Sequence, residues 1–432
     1  MKENIKKEYI RRVRLVMGSQ LNAKNKILAI NSIALPVLTY SFNIVNWKLS
    51  EIKRIDTRTR KLLTCNRAHH PKADVERLYL QRAQGGRGLL QAEMSFKLAT
   101  IGLNRYLCET SDWMMKCVNA HENIKKLYSV TKQAKEFQKQ LNYEINENQC
   151  QTAVAAAKHE KRAAKQAALR QLHKCWQEKP LHGQFQKRAT NADVDELKTY
   201  SWLKSSTLKA ETEGFILAAQ DQSLKTKNYV KNIMKSGTDA TCRFCKEKIE
   251  TIDHLISGCP TLAPNEYTIR HNKVAKYVHW RLCKHFRLPA SDKWYEHETP
   301  AALNNDNVTI LWDFPIHTDK TIKANRPDIV IRDKIKKTCL LLDISIPSDR
   351  NTSIKIYEKI SKYKDLEIEI TRSWKENTKT IPIVIGALGV INKSTPKYLK
   401  ELPVDININE LQKITLLGTA QILRKTLSMN TV

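Results

Sequence analysis

Acidic residues are scarce in this chain: 44 Asp and Glu stand against 74 Lys and Arg over 432 residues, a formal charge of +30. A surplus of that size repels itself in a compact state and is usually sustained by a polyanionic partner, nucleic acid first and an anionic membrane surface second. A hydrophobic leader is also missing, because the amino terminus MKENIKKEYIRRVRLVMGSQ is charged throughout and has no cleavage site. The longest apolar run, ILAINSIALPVLTYSFNIV, is broken by Asn31, Ser32, Pro36, Thr39 and Ser41. It reads as a buried helix and not as a membrane span. These absences place the protein inside the cell, with no role in a membrane. In a reducing compartment its 10 cysteines are expected to ligate metal in a few cases and to be buried in the rest. No internal repeat is present. The stretch QGGRGLL at 84–90 lacks a following Gly-Lys-Ser/Thr. It is therefore a glycine turn and not a phosphate loop, and nothing else suggests a small-molecule cofactor.

What is present is helical first. Residues 1–110 read as packed helices, among them EIKRIDTRTRKLLTC, with Ile52, Ile55, Leu62 and Leu63 on one side. Lys53, Arg54, Arg58, Arg60 and Lys61 lie largely on the other, a face that suits a phosphate backbone or plain solvent. Residues 111–235 are again helical and very basic. Between Gln151 and Thr190 only Glu160 and Glu178 oppose a run of bases that includes Lys158, Lys161, Arg162 and Lys165. Those four are candidate nucleic-acid contacts, the alternative being a solvated spacer helix. From about residue 308 strands take over: VTILWDF, PDIVI and CLLLDISIP, then a helix over about 352–375, then IPIVIGALG and a closing helix, NINELQKITLLGTAQILRKTL.

Two constellations carry chemistry. CRFCKEKIETIDHLISGC places Cys242, Cys245, His254 and Cys259 in the pattern C-x2-C-x8-H-x4-C. Two thiolates from a tight turn and a His and Cys from the next turn close a tetrahedron suited to a structural Zn²⁺. A redox Cys-x-x-Cys pair accounts for the first two residues only. Cys65, Cys108, Cys117, Cys150, Cys175, Cys283 and Cys339 lack such spacing and are expected to be core or incidental. The second constellation lies in RPDIVIRDKIKKTCLLLDISIP, where Asp328 opens one strand and Asp343 sits in the next. An antiparallel pair can bring both carboxylates to one end of the sheet. They repel there unless a hard cation, Mg²⁺ or Mn²⁺, lies between them. The following helix carries Lys359, Lys362 and Tyr363, and one lysine can reach a metal-bound water or a scissile phosphate.

Pro-Asp-x14-Asp-x-Ser resembles the PD-(D/E)xK nuclease motif, with Ser345 where that motif has lysine, so Lys359 or Lys362 must replace it. The order of the knuckle, RHN at 270–272, the two aspartates and Lys-x3-Tyr resembles the C-terminal half of a non-LTR retrotransposon polyprotein. The type in question carries a restriction-like endonuclease. AINSIALPVLTYSF, IDTRTRKLLT and QGGRGL are similar to the thumb of its reverse transcriptase, and the likeness covers roughly residues 18–425.

The resemblance implies a multidomain chain. Residues 1–110 would be an α-helical thumb-like region and 111–235 a basic helical linker. A small CCHC zinc knuckle at 236–262, an α/β restriction-endonuclease-like domain at 263–400 and a C-terminal helix at 401–432 would follow. It further implies that Asp328 and Asp343 hold the catalytic metal, that Lys359 is the catalytic lysine with Lys362 its rival, and that Tyr363 is a companion. Arg270 and His271 would face DNA. The partners would be target DNA and element RNA in the nucleus, the nuclease nicking one strand to prime reverse transcription. The chain departs from the family in having no Asp-Asp dipeptide and hence no polymerase palm, so it is expected not to polymerise and to be a truncated element. A catalytically inactive DNA- or RNA-binding remnant is the second reading, and a structural component of a ribonucleoprotein particle the third.

Overall fold

The computed structural model describes residues 1–125, 128–144, 152–237 and 239–429, so Cys150 lies outside the described residues. The chain folds as two units. One comprises residues 1–184 and 206–221, the other residues 185–205 and those from Gln222 onward.

The first unit is helical, as its apolar spacing predicts. Its principal helices are α1 (Lys2–Gly18), α2 (Leu49–Cys65), α3 (Ala92–Glu109), α4 (Val130–Leu141), α5 (Ala153–Glu178) and α6 (Ala210–Gln220). Pro36 does not simply break the apolar run. It sits at the start of a short helix, Leu35–Thr39, behind a wide π turn over Ile30–Ala34 that accommodates its missing N–H. On α2, Ile52, Ile55 and Leu63 are buried and Lys53, Arg54, Arg58 and Lys61 are exposed. Its buried Asp56 accepts the N–H groups of Ala92 at 2.8 Å and Glu93 at 2.9 Å, capping α3. Burial pushes that carboxyl up to about 6. The basic helix α5 packs along α3 through Ala156, Ala164, Ala167 and Ala168, all buried. Small residues let the two axes approach closely. A Cβ at Gly102 would overlap the stem of Lys161, so the glycine is what makes room there. The glycine turn is held to α6 by the buried pair Arg87 to Glu213 at 3.3 Å, and Arg77, which donates to the Gly85 carbonyl, pairs with Asp221 just past α6 at 2.7 Å.

The second unit holds a five-stranded mixed sheet in the order β1 (Ala302–Asn304), β2 (Val308–Trp312), β3 (Ile329–Asp333), β4 (Thr338–Ser345), β5 (Asn377–Val384). The first four strands run antiparallel, while β5 is parallel to β4. A parallel neighbour requires a crossover. Helices α8 (Thr352–Lys362) and α9 (Lys364–Trp374) provide it, after α7 (Thr268–His285) and before the closing α10 (Ile408–Ser428). Strand alternation sorts side chains between two faces. Ile329, Ile331, Leu342, Ile344, Ile381 and Ile383 pack with Val274 and Val278 of α7 and Leu411 and Ile414 of α10. Val330, Cys339 and Leu341 face the other way, against Tyr363, Leu366 and Ile370. Each such side chain contributes about 1.5–3 kcal/mol by leaving water. No helix among the described residues is long and apolar enough to cross a membrane.

Two details differ from expectation. The edge strand β1 has only three residues and leaves no periodic signal in the sequence. The helix expected over about 352–375 is two helices, because Tyr363 leaves helical geometry at φ −103°, ψ 8°. That break turns Tyr363 inward, so its ring joins the second core.

Candidate active site and metal centre

Strand register sets the first site. Ile329 pairs with Leu342, so the residue just before β3, Asp328, comes beside Asp343 at one end of the sheet. On the other side, one step past Trp312 and Ile329 puts Asp313 beside Asp328, and the Asp313 N–H donates to the Asp328 carbonyl at 2.8 Å. Three aspartates thus lie at the same end of three neighbouring strands. The carboxylate of Asp313 is half-exposed and pairs with Arg326 at 2.8 Å, which fixes the Arg326-Pro327 approach to Asp328. Nothing in the sequence motif pointed to Asp313, although it closes VTILWD at the same distance from its strand.

Asp343 is buried, with Lys359 Nζ 2.6 Å from its Oδ2. That ammonium is the partner of Oδ2 among the described residues. The hydroxyl of Tyr363 is 2.8 Å from Asp343 Oδ1 and 3.0 Å from the Arg326 carbonyl, two alternative acceptors for its proton. Lys362 donates to that hydroxyl at 2.9 Å and stays 4.0 Å from Asp343. Burial pushes the Asp343 carboxyl above its ordinary range and facing Asp328 adds to this, while Lys359 opposes it. Burial likewise raises the Tyr363 phenol, so it is a neutral donor at physiological pH.

Asp328 is positioned differently. Its Oδ2 accepts the Ile344 N–H at 2.6 Å and lies 3.1 Å from His271 Nε2. His271 also approaches the Ile344 carbonyl at 3.1 Å. Burial works against its imidazolium, yet the Asp328 carboxylate outweighs this and raises its pKa to about 9. His271 therefore faces the acid pair. Arg270 departs further from the expectation that it faces DNA, since it is only 2% exposed. It donates to Thr419 Oγ1 at 2.9 Å and to the Ile256 carbonyl at 2.7 Å. Helical spacing explains the split, because successive residues on α7 point about 100° apart.

In the second site, Cys242, Cys245, His254 and Cys259 bring their ligand atoms within 4.8 Å of one another. A small hairpin positions the first two: Thr241 bridges Ile249, and Cys242 N–H donates to the Lys248 carbonyl at 2.7 Å. His254 opens the π turn His254–Gly258 and Cys259 follows it. Cys245 Sγ lies 3.4 Å from His254 Nε2, and the Cys242 and Cys259 sulfurs are 4.0 Å apart. Tyr267 closes the arrangement, its hydroxyl accepting the Cys259 N–H and reaching the His254 carbonyl, each at 3.0 Å. Burial pushes the Cys242 thiol up to about 11 and the His254 imidazole down. Burial also acts against the Cys245 thiolate, but the Glu247 and Lys248 N–H groups, together with the Cys242 and Cys259 thiols, outweigh it and lower that thiol. Three sulfurs and one neutral imidazole at these separations fit Zn²⁺ with no open coordination position. The cluster is a candidate zinc-binding group as the spacing predicts.

Lys158, Arg162 and Lys165 line the exposed side of α5, while Lys161, also exposed, lies at the edge of its alanine face with its stem over Gly102. Comparison with protein-family models and with curated proteins found no match.

Proposed function

We propose that the chain is a metal-dependent DNA endonuclease whose chemistry lies at Asp328, Asp343 and Lys359. The observation that carries this reading is the buried Asp343 carboxylate, flanked by a second acid, Asp328, and by Lys359 2.6 Å from its Oδ2. Two acids side by side repel unless a cation lies between them, and a lysine beside them suits a phosphate. A divalent cation, Mg²⁺ or Mn²⁺, held by Asp328 and Asp343 supplies charge neutralisation and Lewis acidity at a phosphodiester.

The protein's own residues do the rest. The Ile344 N–H and His271 fix the rotamer of Asp328, and Tyr363 fixes that of Asp343. Lys359, from α8, reaches the acid where the PD-(D/E)xK pattern places a lysine two residues beyond it, at Ser345 here. Its ammonium can orient an attacking water or bind the phosphate oxygen that gains charge. The zinc knuckle shapes the same unit, and the basic face of α5 in the other unit provides phosphate contacts for DNA or RNA. Within this reading, the order of motifs supports a retrotransposon protein that nicks target DNA for primed reverse transcription in the nucleus.

Nicking of supercoiled plasmid with Mg²⁺ or Mn²⁺, comparing the native chain with Asp343→Ala, tests it. Metal-dependent nicking that the variant loses supports the nuclease. One observation favours a second reading: the Lys359–Asp343 pair neutralises the acid without any cation, which a non-catalytic nucleic-acid-binding remnant would also retain. Salt-sensitive DNA binding without nicking by the native chain moves the assignment there.

A further inference from the structure

Helix α7 and the stretch that follows it bury a second group of metal-binding side chains, well apart in sequence from the knuckle. His279 and Cys283 are four residues apart, so they share one helix face. His297 comes from the irregular segment 286–300. All three are buried, at 0%, 0% and 2% exposure, and their ligand atoms lie within 4.8 Å of one another. His279 Nδ1 is 2.8 Å from His297 Nε2 and 3.6 Å from Cys283 Sγ. Around them the wall is aromatic, with Trp312 edge-on to His279 at 5.5 Å. Neither ring hydrogen-bonds a carboxylate or a backbone carbonyl among the described residues, the partners that ordinarily satisfy a buried histidine. A hydrogen bond between the two imidazoles leaves the thiol with nothing but a ring beside it.

We propose that His279, Cys283 and His297 form a second metal site, for a borderline-to-soft ion of the Zn²⁺ class. Two imidazoles and one thiolate exclude Mg²⁺ and Ca²⁺, which take oxygen ligands. On a tetrahedral zinc with its usual bond lengths, two nitrogens sit about 3.3 Å apart and a nitrogen and a sulfur about 3.6 Å. The observed N–S separation already matches, and the N–N separation must open by about half an ångström. The knuckle, with 3.4 Å between Cys245 Sγ and His254 Nε2, is also drawn in, by about 0.2 Å. Binding sends the Cys283 proton to solvent and fastens segment 286–300, which has no helix or strand of its own, onto α7. Three protein ligands are one short of a closed structural site, so this ion binds less tightly than the knuckle's. The site is independent of any nuclease chemistry at Asp343.

Elemental analysis of the full chain, after dialysis against metal-free buffer, reads the site directly. The expected content is about two zinc ions per native chain, and about one for Cys283→Ser, for His297→Gln and for Cys245→Ser. A variant carrying both Cys245→Ser and Cys283→Ser should hold essentially none. Should Cys283→Ser fail to fold, cobalt(II) titration of Cys242→Ser/Cys245→Ser decides the matter. A thiolate-to-cobalt charge-transfer band that His297→Gln abolishes supports the site. One zinc per native chain, with His297→Gln unchanged and no cobalt band beyond the knuckle's, overturns it.

Discussion

Lys359 and Asp343 meet across the face of the sheet, Nζ 2.6 Å from Oδ2, although one stands on a helix and the other within a strand. Lys362, the other lysine near the acid, is 4.0 Å away and spends its ammonium on the Tyr363 hydroxyl. The two lysines should therefore separate cleanly. Lys359→Met is expected to lower the plasmid-nicking rate by ~10²-fold or more, the usual loss for a positioned proton donor or charge. Lys362→Met, at a more exposed side chain, is expected to cost under ~10-fold. Equal losses would assign the two lysines a joint role.

The strands, the antiparallel pair and the pairing of Asp328 with Asp343 were legible because a period of two and a Pro-Asp start survive in a linear string. Tyr363 shows where that legibility ends. Its place in an apolar stripe with Leu366 and Ile370 marks it as core, and it is core, but the helix break that aims its hydroxyl at Asp343 has no local sequence signal. The same holds for Asp313, whose place at that end of the sheet depends on the register of two strand pairs. Arg270 misleads because neighbours on a helix share sequence context and not direction. Cys283 looks incidental in the sequence because its partner His297 arrives from an irregular segment at no recognisable spacing.

Charge on α5 should govern salt sensitivity and little else. Lys158, Lys161, Arg162 and Lys165 are exposed, and none is in an ion pair among the described residues. Replacing all four with Gln is expected to leave the melting temperature nearly unchanged. The slope of log affinity for duplex DNA against log salt should flatten by ~0.9 for each phosphate that is no longer neutralised. An unchanged slope in a fluorescence-anisotropy salt series would make this face a solvated one.

Asp349 predicts a pH dependence of stability. It lies buried after β4, accepting the N–H groups of Leu388 at 3.1 Å and Val390 at 3.1 Å, with Asp253, Arg188 and Arg270 among the charged groups facing it. Burial pushes its carboxyl up to about 7. The folded state therefore holds a proton that the unfolded chain has already released above ~4. Stability falls as pH rises from ~4 to about 7 and levels off above that, the reverse of a salt-bridged carboxylate. Asp349→Asn should flatten that part of the profile in thermal melts across the window, and a variant that keeps the native slope would place its origin elsewhere.

Arg270 is a strut, and its loss should be felt as instability. Its guanidinium joins three parts of the second unit: the knuckle's π turn through the Ile256 carbonyl, the end of β4 through the Ile346 carbonyl at 3.4 Å, and α10 through Thr419. Its stem lies over Gly418, where a Cβ would meet it at 2.7 Å, so α10 carries glycine at that point. Burial pulls even this guanidinium down to about 10, which measures how far it is from water. Arg270→Ala leaves two carbonyls and a hydroxyl buried without a donor, a loss of ~3 kcal/mol or more. Arg270→Lys should rescue little, because one ammonium cannot span a fork. The expected result is a lower melting temperature with an unchanged salt slope for DNA binding by the protein that remains folded. His271→Ala, which touches Asp328 and not these carbonyls, should do the opposite, sparing the melt and slowing cleavage. If Arg270→Ala melts like the native chain yet binds DNA weakly, the arginine swings out to the phosphate backbone and its buried position is only one of two.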